Sequence, residues 1–328
     1  KAVGNAIKSC NNTGDDATIG ESAFNSSSSS PADVGYMYGT RYTYKQQSMS
    51  SLSGAIVFGN DITYSNGTYT LTDTYTLTDV SNWSSEYTTI ASKYHYTCFT
   101  SNNTCEKVNY IYYIFSSYSY YFELSNGKNH LDILKEMLDN STNTNNSRIK
   151  TFIDEWYNNM TDYTSELEDT VFCNDRSYDA KLRTSGWNKD YSNSGNYLYF
   201  NSYRRMYSSY KPTLKCQNTN DKFTVETSNG NGALTYPVGL ITADEMKYAG
   251  AANFSNSSFY LYTSQYYWAL SPYSFGGASA YGFVLSSSGV LSGSGVGGSF
   301  GVRASVSLKP GIAITGGSGT AIDPFVVE

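Results

Sequence analysis

The feature that most constrains this 328-residue sequence is its C-terminal segment, residues 236–328, where short aromatic and β-branched runs alternate with glycine and serine clusters. Runs of four to eight such residues between turn residues are typical of an antiparallel sheet. The pattern predicts strands at Phe259–Thr263, Tyr266–Leu270, Ala280–Ser286 and Gly301–Leu308, and one last strand over Ala313–Val327.

A second β-rich region is predicted over residues 32–125. Asn66-Gly67 separates Ile62-Thr63-Tyr64 from Thr68–Leu71. An Asn-Gly pair between alternating runs is the strongest short-range signal for a hairpin. Thr74–Thr78 and Val108–Phe115 are expected to extend the same sheet.

Two helices are predicted between these regions, at about Lys128–Leu138 and Ser147–Glu168. Their apolar residues recur at helical spacing, and Ser147 is a suitable N-cap. A shorter helix is predicted at the capping box Thr242–Glu245, ending at Gly250. Residues 174–220 are polar and tyrosine-rich, and we expect an irregular insertion there.

Residues 1–31 are interpreted as the end of a helix followed by a flexible connection. Val3 and Ile7 are four residues apart, as on one helical face, and the serine run Ser26–Ser30 precedes Pro31. Polar stretches of this kind favour flexible linkers. No apolar run approaches the roughly 20 residues of a membrane span. We therefore expect membrane attachment only through a segment upstream of Lys1.

Charge and cysteine content restrict the class of protein further. The net charge is −6, only 15% of residues are charged, and the sequence contains no Lys/Arg cluster. A nucleic-acid partner requires a basic surface, so that class is disfavoured.

The five cysteines predict an oxidising, extracellular location. Cys98 and Cys105 flank a turn-rich loop and are expected to staple a hairpin. Cys173 and Cys216 then pair by elimination, and Cys10 is left over.

Several C-terminal motifs resemble those of bacterial C-type-lectin-like domains. They are Tyr267-Trp268-Ala269-Leu270-Ser271-Pro272, Ala280-Tyr281 ahead of Ser287-Ser288-Gly289, and Gly301-Val302-Arg303. This fold is related to formylglycine-generating enzymes and to the variable proteins of diversity-generating retroelements. Over most of its length the chain looks similar to pilin-like surface proteins of Gram-positive gut bacteria. The family usually has Gly-Val-Arg-Pro, whereas Ala304 follows Arg303 here.

The resemblance implies an α+β protein in three parts. These are a helix remnant with its connection (1–31), the β-rich region (32–125), and a C-type-lectin-like domain with two helices and an antiparallel sheet (126–328). It also implies attachment to a cell surface or pilus, and diversification of the segment 260–300 by a retroelement.

Catalysis finds little support in the sequence. The two histidines, His95 and His130, belong to no motif, and the nucleophile-elbow, zinc-protease and phosphate-loop patterns are missing. A formylglycine-generating activity would require reactive cysteines in the C-terminal core, and no cysteine follows Cys216. The C-terminal acidic residues are too scattered to cage calcium. We therefore expect no enzyme activity, no cofactor and no metal.

The composition instead favours binding. The 33 tyrosines are interleaved with Ser, Gly and Asn, the chemistry of antibody paratopes. Trp268 and Leu270 are expected in the core. Arg303 is interpreted as a buried structural arginine, with anion binding as the alternative. The predicted ligand-binding residues are Tyr262, Gln265, Tyr266, Tyr273, Phe275, Tyr281 and Phe283.

These residues lead to a hypothesis with two competitors. The leading hypothesis is an adhesin-like surface protein that binds a host or microbial surface protein or glycan. Replacing Tyr266 and Tyr273 with Ala is then expected to abolish adhesion and leave the melting temperature nearly unaltered. The alternatives are a structural pilin-like subunit without a dedicated ligand and, less favoured, an enzyme of unknown substrate.

Overall fold

The computed structural model shows a mixed α+β protein in which strands predominate over helices. It describes residues 2–3, 18–39, 41, 45–48, 56–77, 93–99, 104–107, 110–115, 118–123, 142–159, 164–178, 197–276, 279–318, 323 and 326–327. The predicted helix at 128–138 and Cys10 lie outside these residues.

A six-stranded central sheet organises the described C-terminal part. Its strands are β1 (Glu21–Ala23), β2 (Tyr197–Tyr199), β3 (Tyr267–Gly276), β4 (Ser279–Leu285), β5 (Leu291–Gly295) and β6 (Ser299–Gly301). The spatial order is β1-β6-β3-β4-β5, and β2 pairs with the C-terminal end of β3. The predicted strands 266–270 and 280–286 are therefore confirmed in β3 and β4.

The central sheet is covered on both faces. Trp268, Leu270 and Val284 belong to one buried cluster, whereas Tyr267, Phe283 and Leu285 belong to another. This alternation is the period of two that a strand imposes on its side chains. A sheet buried on both faces explains why β3 reads as an almost continuous apolar run.

A β-bulge interrupts the alternation in β3. The pairing with β4 shifts between Trp268 and Pro272 and again between Pro272 and Ser274. Proline has no N–H for the ladder, so within sheets it is confined to edges and bulges. The shift between Pro272 and Ser274 changes the face that the side chains occupy: Tyr273 still packs against the cluster of Tyr267, whereas Phe275 joins the cluster of Trp268.

A second sheet is built around β7 (Ala304–Leu308). Gly239–Leu240, Leu167–Glu168 and Ala2–Val3 each pair with it in antiparallel orientation. The strand at Ala2–Val3 contradicts the predicted helix remnant for these two residues. The backbone N–H and C=O groups of these residues find hydrogen-bond partners on β7. This pairing is more favourable than the helix suggested by the spacing of Val3 and Ile7 alone.

The prediction of a flexible connection up to Pro31 is wrong for residues 18–31. Besides forming β1, this segment inserts Phe24, 1% exposed, against the ring of Trp268 at a centroid distance of 5.6 Å. A 3-10 turn follows at Pro31–Val34, where Ser30 and Asp33 form a capping box. The serines act as caps here, so composition alone was misleading.

Among the residues that the structure describes, three α-helices flank the central sheet. They are α1 (Arg148–Asn158), α2 (Asn201–Tyr207) and α3 (Ala243–Tyr248). The Ser147 N-cap and the Thr242–Glu245 capping box are confirmed. The prediction that the first of these helices continues to Glu168 is wrong, since Thr164–Glu166 is a 3-10 turn and Leu167–Glu168 a strand. Leu167 is buried by pairing with Leu308, a long-range contact that helical spacing does not reveal.

The insertion predicted at 174–220 is in part regular. Residues 197–207 form β2 and α2, and Asn174 is fully buried, where it accepts a hydrogen bond from the Tyr36 N–H and donates one to the Leu270 carbonyl. The Cys173–Cys216 disulfide is confirmed.

The β-rich region forms several sheets instead of the single sheet predicted. The Asn66-Gly67 hairpin joins Ile62–Ser65 to Thr68–Leu71, and both turn residues have the positive φ such a turn requires. A four-stranded sheet contains Ile56–Gly59, Tyr75–Leu77, Tyr96–Phe99 and Thr104–Lys107, and the predicted Cys98–Cys105 disulfide joins its last two strands. A three-stranded sheet contains Lys45–Ser48, Tyr110–Phe115 and Tyr118–Glu123.

Three strand predictions in the C-terminal segment require correction. Phe259–Thr263 forms turns, Gly301–Leu308 is divided between β6, which ends at Gly301, and β7, which begins at Ala304 in another sheet, and Ala313–Val327 contains two short paired strands, Ile314–Gly316 and Val326–Val327. Strand β5 lies in a Ser/Gly-rich stretch that was expected to be a connection. The remaining short strands are Met37–Tyr38 paired with Asn145–Asn146, and Phe172–Cys173 paired with Lys222–Phe223.

Candidate functional site

Four tyrosines form a partly exposed layer on one face of the central sheet. Tyr199 ends β2, and Tyr203 and Tyr207 follow on α2 at intervals of four residues. This interval places side chains above one another on a helix. The rings of Tyr199 and Tyr203 stack with centroids 4.0 Å apart, and those of Tyr203 and Tyr207 with centroids 4.8 Å apart.

Tyr273 of β3 completes this layer. Its ring meets Tyr203 edge-on at 5.0 Å and Tyr207 at 5.9 Å, both at interplanar angles of 85°. Edge-to-face contacts of this kind stabilise aromatic clusters beyond the area they bury. We call Tyr199, Tyr203, Tyr207 and Tyr273 the tyrosine shelf.

The strand below the tyrosine shelf leaves room for the rings. A Cβ atom at Gly293 of β5 would lie 2.5 Å from the Tyr273 ring, so glycine is required there. The Tyr207 hydroxyl donates a hydrogen bond to the Leu291 carbonyl of the same strand at 2.7 Å. The glycine-rich strand β5 is therefore the floor of the shelf.

Two of the shelf tyrosines, Tyr207 and Tyr273, have a raised pKa. Burial raises the pKa of Tyr273 far above its ordinary value, and the neighbouring hydroxyls of Tyr207, Tyr203 and Tyr199 raise it further. Burial also raises the pKa of Tyr207. Tyr207 and Tyr273 therefore keep their hydroxyl protons to higher pH than an exposed tyrosine does.

Ion pairs beneath α2 fix the helix that carries the shelf. Arg205 donates to both carboxylate oxygens of Asp244, from Nε at 2.7 Å and from Nη2 at 2.8 Å, and its Nη1 donates to Asp175 at 2.8 Å. Both carboxylates are buried. Bidentate pairs are geometrically specific, so these contacts lock α2 against α3 at a defined orientation. Asp244 thus has a role beyond the predicted first helical turn.

A pocket of about 140 Å³ opens beside this ion-pair cluster. Asp175, Arg205, Thr213, Lys215 and Asp244 are among its lining residues. Because Arg205 already holds both aspartates, neither is placed as an independent acid or base.

The predicted binding residues separate into three groups. The first group contains Tyr273 of the shelf and Tyr281, which is half-buried on the face of β4 that also carries Phe283. Tyr262, Gln265 and Tyr266 lie at the other end of β3, in the loop that precedes it. Tyr266 is 45% exposed and stacks on Phe300 at 5.5 Å.

Phe275 and Phe283 are both 0% exposed, so the predicted exposure of Phe275 and the predicted surface role of Phe283 are wrong. The register shift between Pro272 and Ser274 turns Phe275 into the core. Phe283 lies under the shelf, 4.9 Å from the Tyr273 ring.

Sequence reasoning missed Tyr199, Tyr203 and Tyr207. They lie in the segment predicted to be irregular, yet their spacing of four residues was a readable signal for a helical face. No local pattern in the sequence indicates the sheet on which that helical face packs.

Similarity to known proteins does not assign this chain to a family. No protein-family model, curated protein or solved structure matches this chain. Among the described residues, no three His, Cys, Asp or Glu side chains lie together as metal ligands. The part of the chain that the structure describes contains no helix that is long and apolar enough to span a membrane.

Proposed function

We propose that this chain is an extracellular binding protein that recognises its ligand through the tyrosine shelf. The observation that carries the proposal is the arrangement of four partly exposed tyrosine rings held in one geometry by stacking. Tyrosine offers rigid, amphipathic contact area at a low cost in conformational entropy. Rings already ordered in the free protein reduce that cost further.

The scaffold supports a C-type-lectin-like interpretation, which we propose together with a place at the cell surface. The support is an α+β fold with helices on both faces of a mixed sheet, and two disulfides typical of an oxidising compartment. The proposed ligand is a host or microbial surface protein or glycan.

Binding is favoured over catalysis by the state of the charged groups near the shelf. Both aspartates at the pocket beside α2 are engaged by Arg205. A hydrolase would need a carboxylate with an independent proton-transfer role.

A paired variant tests this proposal. The wild-type protein and Tyr203→Ser would be screened against a glycan array and a panel of surface proteins. Tyr260→Ser is the matched control, because Tyr260 is 73% exposed and lies in the loop before β3.

We expect that a ligand bound by both the wild-type protein and the Tyr260→Ser control will bind Tyr203→Ser at least about tenfold more weakly, as for the loss of a central aromatic contact. A ligand bound equally by both variants would place recognition elsewhere.

A further inference from the structure

Arg303 is a buried cation with no carboxylate beside it. It is 6% exposed and is the only charged residue between positions 248 and 308 of the sequence. Among the residues that the structure describes, no Asp or Glu pairs with its guanidinium. Buried charges in proteins are ordinarily paired, because removal from water penalises an isolated ion.

The contacts of Arg303 leave one edge of the guanidinium unused. Its Nη1 donates to the Leu261 carbonyl at 2.9 Å, and its charge lies 4.8 Å from the centre of the Tyr267 ring. Its Nε is buried without a hydrogen-bond partner. The Nε–Nη2 edge is the one that receives a carboxylate with two parallel hydrogen bonds.

The segment that contacts Arg303 through the Leu261 carbonyl carries a second unsatisfied group. The Thr263 hydroxyl, two residues after Leu261, is buried without a partner. Ser264, which follows, has a φ of 59°, a left-handed conformation that is uncommon for residues other than glycine. Unsatisfied buried donors and local backbone strain cluster at binding sites.

We propose that Arg303 and Thr263 bind the carboxylate of an acidic sugar. The carboxylate would satisfy the Nε–Nη2 edge, and the Thr263 hydroxyl would donate a third hydrogen bond. A sugar is favoured as its source because the same loop presents hydroxyl, amide and tyrosine side chains at Ser264, Gln265 and Tyr266, and Asp and Glu are missing from residues 248–308. This site is separate from the tyrosine shelf, and neither proposal depends on the other.

The test is an NMR titration of the wild-type protein with sodium glucuronate, following the arginine Nε–Hε signals. Glucose controls for the ring without its carboxylate, and sodium chloride at equal ionic strength controls for screening. We expect one Nε–Hε signal, missing from Arg303→Lys, to shift with saturation only in glucuronate. A structural arginine would give no such shift, and that result would overturn the proposal, as would an equal shift in sodium chloride.

Two variants and a second ligand complete the test. Thr263→Val removes the hydroxyl at nearly constant volume, and we expect it to weaken glucuronate binding, whereas Arg41→Lys, which alters an arginine already paired with Asp33, should leave binding unchanged. Arg303→Lys should lose about tenfold or more in affinity, since lysine cannot form the bidentate pair. If Arg303→Lys fails to fold, the wild-type titration and Thr263→Val decide. Tighter binding of a glutamate-rich peptide than of glucuronate would overturn the assignment to a sugar.

Discussion

The tyrosine shelf and the loop before β3 are both rich in tyrosine, yet they hold their rings in different ways. Shelf rings contact one another and lie between α2 and the sheet, whereas Tyr266 stacks on Phe300 alone and is 45% exposed. The two regions therefore differ in how many aromatic partners hold each ring, and not in their tyrosine content. Packing across elements distant in sequence decides which rings are fixed.

The largest expected effect comes from the support of the shelf. Arg205→Met would leave Asp175 and Asp244 buried without their cation, and breaking a buried ion pair on one side costs about 3–5 kcal/mol. We expect a loss of this order in the free energy of unfolding, measured by urea denaturation. Asp73→Asn is the control, since its ion pair with Lys93 is exposed and should contribute almost nothing. Equal effects of the two variants would mean that α2 does not depend on this cluster.

Truncation of one ring in each region tests the comparison directly. The shelf contacts revise the expectation that Tyr273 can be replaced without loss of stability. Tyr273→Ala should destabilise the protein by about 2–3 kcal/mol, because it removes a half-buried ring with several aromatic partners. Tyr266→Ala should cost less than about 1 kcal/mol. If the two variants had the same melting curve, the rings of the shelf and of the loop before β3 would not differ in how strongly they are packed.

The floor of the shelf offers a matched pair of glycines on one strand. Gly293→Ala would bring a methyl group within 2.5 Å of the Tyr273 ring, whereas nothing lies within 4 Å of the same position at Gly295. We expect Gly293→Ala to cost about 1–2 kcal/mol through overpacking, and Gly295→Ala to be close to neutral. A neutral Gly293→Ala would show that Tyr273 moves freely, contrary to a rigid shelf.

The smallest expected effect is a pH dependence confined to alkaline solution. Burial raises the pKa of Tyr273 above its ordinary value of about 10. A raised pKa in the folded state adds stability that is complete below about pH 10 and is lost as the pH rises above it. The free energy of unfolding of the wild-type protein should therefore fall more steeply than that of Tyr273→Phe above about pH 10, by up to about 1.4 kcal/mol per pH unit, as measured by thermal denaturation. Parallel curves would indicate that Tyr273 ionises as freely in the folded protein as in the unfolded chain.

Local signals in the sequence were read correctly where short-range chemistry governs the structure. The Asn66-Gly67 hairpin, the Ser147 N-cap and the Thr242–Glu245 capping box depend on residues within a few positions of one another. The two disulfides followed from spacing and elimination.

Long-range pairing explains most of the failures. The serine-rich segment before Pro31 looked flexible because its partner strand, β6, lies far along the chain. The Ser/Gly-rich segment containing β5 looked like a connection because its order comes from pairing with β4.

By itself, the sequence determined that this protein is β-rich, acidic, disulfide-bonded and unusually rich in tyrosine, since these properties follow from composition and local patterns. Only the tertiary structure decided which tyrosines stand together. Tyr273 and Phe275 are two residues apart and would share a face in a regular strand, but the register shift between Pro272 and Ser274 places one on the shelf and the other in the core. Likewise, α2 contributes two rings to the shelf only because Arg205 and the sheet hold it there, through contacts that no local pattern encodes.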